Sequence, residues 1–290
     1  MFAGDLPDDV LDRILAFLIV DDLFSVASTA RAFHETVGSR AKVIDSGATA
    51  SHVVTDSRLH MLVRKFPATT TLRIPRAERL SIDAVAAALH GLDNLSALSV
   101  HGVRWRGRQK PSTILAGMGS GVTEDMTETS RLFPEHNGLK SLCVRGTVFL
   151  DFDELKGLMV SPDLRDVELC GLRHLGDSSL RDLLETSTPA CGDRIERLLL
   201  SDCTGLEELD FAAHAARELQ LQHCVNLRAF KRALPNLVTL NLEFCTKLPD
   251  EAVDAVMGQC PCLENLVLKG CSELRKPSIT SSSLRRLDLR

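Results

Sequence analysis

Leucines and cysteines recur in a fixed frame through the second half of the chain. The segments IERLLLSDCTGL from Ile195, ARELQLQHCVNL from Ala216, LVTLNLEFCTKL from Leu237 and LENLVLKGCSEL from Leu263 all fit the template LxxLxLxxCxxL. Alternation at positions 4 and 6 predicts a short strand with one face inward, position 1 packs beneath it, and a small polarizable cysteine at position 9 fits where the chain turns inward. One such unit leaves its leucines in water, so the units must stack into a continuous core. Fainter copies begin at Thr69 (TTTLRI), Leu95 (LSALSV), Leu139 (LKSLCV) and Leu164 (LRDVEL), and a partial copy, LRRLDL, begins at Leu284. A degenerate copy, LEELDFAAH, puts His214 at position 9.

Successive starts lie 26, 44, 25, 31, 21, 21, 26 and 21 residues apart. The longer units carry helical spacing of apolar residues in IDAVAAALHGL (82–92), 153–160, DSSLRDLLE (177–185) and DEAVDAVM (250–257), each with an Asp suited to capping at or near its start. The 21-residue units leave room only for extended chain or a 3₁₀ turn. The expected fold is α/β: parallel strands on a concave face, with helices and extended returns on the convex face. Curvature should relax toward the C-terminal half, where bulky helices are fewer. The 44-residue interval holds an inserted loop at 104–137, rich in Gly, Ser, Thr and charge. The final copy stops on a strand with no polar capping repeat, an open edge that invites pairing or further chain.

The N-terminal pattern differs. Residues 6–33, LPDDVLDRILAFLIVDDLFSVASTARAF, pack more apolar side chains into a helical hairpin than it can hide within itself. Pro7 suits a first helical position, Asp8 and Asp9 suit the helix dipole, and Leu11, Ile14, Leu15 and Leu18 share one face. Asp21 suits the N-cap of a second helix carrying Leu23, Val26 and Ala30. The order Leu6-Pro7, Asp8, Leu11, Ile14, Leu15, Leu18, Asp22-Leu23 and Phe33 resembles the F-box motif. Two departures are Thr29-Ala30 for the usual Val-Cys pair and Phe33 for the usual tryptophan. The resemblance implies docking onto a Skp-type adaptor of a cullin-RING ubiquitin ligase, with Leu6, Pro7, Leu11, Ile14, Leu15, Leu18, Leu23, Val26 and Phe33 supplying or supporting the contact. The repeats are similar to the cysteine-containing leucine-rich type found behind F-boxes. Expected domains are therefore an F-box-like helical unit at 1–45 and a leucine-rich-repeat solenoid at 46–290. The other way to use the hairpin is as a mere cap on a scaffold outside the ubiquitin system.

Composition narrows the chemistry. A net charge of −5 gives no global field for nucleic acid or acidic membranes. The longest apolar run, 14–20, is too short to span a bilayer, and the N-terminus lacks a basic signal region, so a cytoplasmic or nuclear protein is expected. Nine cysteines without a secretion signal argue against a disulfide framework. Position-9 cysteines stack in a row and cannot surround one ion, and Cys260-Pro261-Cys262 reads as the lead-in to a repeat, so no metal is expected. No nucleophile elbow, P-loop, HExxH or dinucleotide glycine pattern occurs, and GMGSG at 117–121 lacks the flanking strand and Lys-Ser/Thr. Neither a cofactor nor catalysis by this chain is expected. Template positions 3, 5, 7 and 8 line the concave face, and the expected target contacts there include Arg197, Gln220, Gln222, His223, Asn241, Glu243, Phe244 and Lys269. Trp105, set among Arg104, Arg106 and Arg108 in the inserted loop, is a further candidate contact.

Overall fold

The computed structural model describes residues 10, 14, 39–46, 54–102, 138–146, 152–159, 161–185 and 191–289. Its main element is a single parallel sheet. The strands are β1 (Val43–Asp45), β2 (Thr71–Ile74), β3 (Ala97–His101), β4 (Ser141–Arg145), β5 (Asp166–Cys170), β6 (Arg197–Leu199), β8 (Glu218–Gln220), β10 (Thr239–Asn241), β11 (Asn265–Val267) and β12 (Arg286–Asp288), in that spatial order. Register follows the template. Ile44, Leu72, Leu98, Leu142, Val167, Leu198, Leu219, Leu240, Leu266 and Leu287 pair in succession across the sheet, forming the position-4 column. All but Leu287 are buried, each contributing about 2 kcal/mol of transfer free energy. The core is this column together with its position-6 and position-1 companions, running the length of the solenoid.

A repeat precedes those anticipated from sequence. Strand β1 and helix α1 (Asp56–Lys65) form it, so the sheet begins at Val43 rather than after residue 45. Helices α2 (Ile82–His90), α3 (Phe152–Met159), α4 (Asp177–Glu185) and α5 (Asp250–Gln259) fall where the spacing places them. Two of the three 21-residue units, those from Ile195 and Ala216, return by extended chain: β7 (Glu208–Leu209) and β9 (Ala229–Phe230) pair with each other in a separate two-stranded parallel sheet. This corrects the reading of LEELDFAAH. That segment carries β7, outside the main sheet, and His214 beyond it bonds Asp193 rather than occupying an inward turn.

The helix-start aspartates also act differently from expectation. Helix α2 is capped by Ser81, whose Oγ accepts from the Ala84 N–H at 3.1 Å, and α5 has Pro249 at its N-cap with no side-chain cap bond. The aspartates instead reach forward into the following repeat. Asp56 accepts from the Ser81 N–H and hydroxyl, Asp177 from the Glu207 N–H, and Asp250 from the N–H groups of Arg275 and Lys276, all at 2.8–2.9 Å. These carboxylates sit where the helix dipole favours negative charge while satisfying backbone donors of the next turn.

The cysteine column makes a second inter-repeat ladder. The thiols of Cys203, Cys224, Cys245 and Cys271 donate to the carbonyls of Leu169, Leu200, Leu221 and Leu242, the position-6 residues one repeat back, at 3.0–3.1 Å. Burial pushes the Cys203 and Cys245 thiols up to about 12, which holds them as neutral donors.

Candidate functional site: the concave face and its strand ends

Position 8, just past each strand, has a left-handed backbone in seven repeats: Gly102, Gly146, Gly171, Asp202, His223, Phe244 and Gly270, with φ between 59° and 75°. This conformation has a physical purpose. It turns the N–H of position 8 toward the carbonyl of position 7 in the following repeat, adding a rung beyond the strands. Gly102, Gly146, Gly171, Asp202, His223 and Phe244 thereby donate to Arg145, Cys170, Ser201, Gln222, Glu243 and Lys269 at 2.8–2.9 Å. Glycine adopts such a backbone freely, whereas an L-residue there costs about 1–2 kcal/mol. Aspartate and histidine tolerate it better than phenylalanine does, and strained backbones of this kind cluster at functional sites.

The strained row displays aromatic rings. His223 and Phe244 stack with centroids 4.9 Å apart and planes 11° apart, and the Lys269 ammonium lies 5.9 Å from the Phe244 centroid. Phe244 in turn needs Gly270, since a Cβ there would come within 2.5 Å of its Cδ1. Phe244 stays 38% exposed. Of the concave residues singled out from sequence, His223, Glu243, Phe244 and Lys269 come together, with Lys269 and Glu243 paired at 3.0 Å. The others are tied among themselves. Arg197 binds Glu218 at 3.0 Å, Gln220 donates to the same carboxyl group at 2.9 Å, Gln222 accepts from Ser201 at 2.7 Å, and the Asn241 side chain accepts from the Glu243 N–H at 3.0 Å. Trp105 and the 104–137 insertion lie outside the described residues. Asp202 was not anticipated; glycine at position 8 of the repeats from Leu95, Leu139, Leu164 and Leu263 was the available sign that this position is left-handed.

A second polar group lies across β3 to β5. The His101 Nε2 is 3.0 Å from Ser99 Oγ and 3.5 Å from Cys143 Sγ, and Arg145 pairs with Glu168. Burial, then the Arg145 charge, lowers the imidazole; burial raises the Cys143 thiol. Burial alone would raise Glu168, but Arg145 and the thiols of Cys143 and Cys170 outweigh it and hold the carboxyl below its usual range. Histidine and cysteine are both pushed toward their neutral forms, the opposite of what a thiolate nucleophile requires. Among the described residues, no group of three or more His, Cys, Asp or Glu side chains is arranged to hold a metal ion.

At the N-terminus, Val10 and Ile14 are helical, lie one turn apart and expose 37% and 44% of their surfaces. Leu6, Pro7, Leu11, Leu15, Leu18, Leu23, Val26 and Phe33 lie outside the described residues. Residues 4–44 match the family model of the F-box domain. The chain also has low-scoring similarity to three solved structures: a chain of the yeast Rad7–Elc1 complex (15% identity, 98% of this chain and 88% of that one, TM-score 0.41), the leucine-rich repeat domain of the type III effector XopL (18%, 81% and 68%, 0.43) and an internalin of Listeria monocytogenes (14%, 93% and 94%, 0.35). No curated protein matches the chain. At such identities the repeat register of the chain itself is the ground for its fold. The chain thus carries an F-box domain match at residues 4–44 and a solenoid of leucine-rich repeats behind it. No described helix is long and apolar enough to cross a membrane.

Proposed function

We propose that this chain is a non-catalytic substrate receptor of an SCF-type ubiquitin ligase, docking a Skp-type adaptor through its F-box and a target protein through its repeats. The observation that carries the reading is the F-box match at 4–44 ahead of a repeat array. The exposure of Val10 and Ile14 supports it, because a hairpin serving only as a cap would turn its apolar face onto the first repeats. The adaptor contact comprises Leu6, Pro7, Leu11, Ile14, Leu15, Leu18, Leu23, Val26 and Phe33. The target contact uses the concave positions described above, with Trp105 as an additional one. The mechanism is effective concentration: target and ubiquitin-charged enzyme held in one assembly react as though intramolecular. The ligase would act in the cytoplasm or nucleus. Recombinant Skp adaptor is expected to be retained by the full chain and lost with Leu11→Lys or Ile14→Lys; no retention by the parent protein sinks the reading.

A further inference from the structure

The left-handed row contains one charged group without an opposite charge. Asp202 is exposed, and its carboxylate has no cationic partner among the described residues, whereas Arg197, Lys269 and the carboxylates facing them are paired. His223 is also exposed, and one face of its ring is covered. Phe244 covers that face from the following rung. Asp202 occupies the position-8 site one rung earlier, its N–H donating to the Gln222 carbonyl next to His223 in the chain. An exposed imidazole and an unpaired carboxylate thus occupy adjacent rungs of one row, both on backbone that glycine would occupy at less cost.

From this juxtaposition we infer that Asp202 and His223 form an arginine-docking site, which takes a guanidinium from the target protein flat against the imidazole with its N–H fork on the carboxylate. A guanidinium is the side chain that combines a planar face for stacking with paired donors for a carboxylate; an ammonium offers only the charge. Charge also favours this occupant. Arg197 is shared between Glu218 and Asp166 and Lys269 pairs with Glu243, so Asp202 adds to a net negative charge on this part of the face. Phe244 fixes the imidazole from behind, and Gly270 makes room for Phe244. The row therefore acts as a preformed receptor, assembled before the ligand arrives. The inference rests on the receptor reading only in taking the guanidinium to belong to a target protein.

The test uses the full chain with isotope-labelled histidine, titrated with the capped peptide Gly-Gly-Arg-Gly-Gly and its citrulline and lysine counterparts. The arginine peptide is expected to shift the His223 ring resonances saturably, with affinity about five-fold or more above that of the neutral citrulline isostere and above that of lysine. Asp202→Asn should reduce arginine binding about five-fold or more, with a smaller salt dependence. Equal shifts from citrulline, or binding unchanged in Asp202→Asn, overturn the proposal. His223→Gly separates binding from folding. It should abolish the arginine response while keeping or raising the thermal midpoint, because glycine relieves the left-handed strain. A lowered midpoint would make the row a folding element and overturn the proposal. Adaptor capture measured on the same sample keeps the two readings apart: arginine binding without adaptor capture removes the ligase role alone, and adaptor capture without arginine binding removes the docking site alone.

Discussion

A cysteine at position 9 fills a space and makes a bond. Cys224 is fully buried, and its thiol donates to the Leu200 carbonyl at 3.1 Å. Alanine keeps neither the sulfur volume nor the donor, and it leaves that carbonyl without the thiol in a dry turn. Cys224→Ala is expected to destabilise the protein by about 1–2 kcal/mol in urea unfolding; an unchanged midpoint would show that the ladder bond carries no weight. Size and spacing made this residue legible in the sequence. The strain at its neighbour was not, because nothing about His223 or Phe244 alone signals a positive φ, and only comparison with glycines in other repeats exposes it.

Between elements, the forward-reaching aspartates set the register of one repeat on the next. Asp250 stands at the first turn of α5 and accepts two backbone N–H groups, from Arg275 and Lys276, at 2.9 Å. Asp250→Ala should cost about 1–3 kcal/mol and, more specifically, speed amide hydrogen exchange around 275–276 while leaving β2 and β3 unchanged. Equal exchange in parent and variant would contradict the bracing role. Sequence spacing located α5 but assigned its aspartate to the wrong repeat, since an Asp before an apolar periodic run has the same composition whether it caps its own helix or the next turn. The repeat built on β1 and α1 was missed for another reason: AKVIDS holds Ile44 at position 4 but lacks the leucines that mark the frame elsewhere.

At the scale of the whole molecule, the buried thiols form a column through the stack and titrate with folding. Their values in the folded chain, about 12 for Cys203 and Cys245, lie above the ordinary 9.0 because burial penalises the thiolate. The folded state thus holds these protons more tightly than the unfolded chain. Their contribution is fully present below about pH 9 and is lost progressively as pH rises toward 12. Urea midpoints measured at pH 8 and pH 10 should fall between the two; constancy across that window would mean that the thiols are not buried as a set. The solenoid itself was legible because every repeat restates the same leucine spacing. The concave chemistry was less so, since its meaning lies in which residues of different repeats become neighbours.

That neighbourhood bears on how such a protein changes over time. The rung at position 8 is made by a main-chain N–H and a main-chain carbonyl, so it persists whichever side chain stands there. Gly171, Asp202, His223 and Phe244 already show four occupants of one backbone geometry. Variation along this line can redirect what the protein grips without repacking its leucines, and descendants with new preferences can inherit the same scaffold intact.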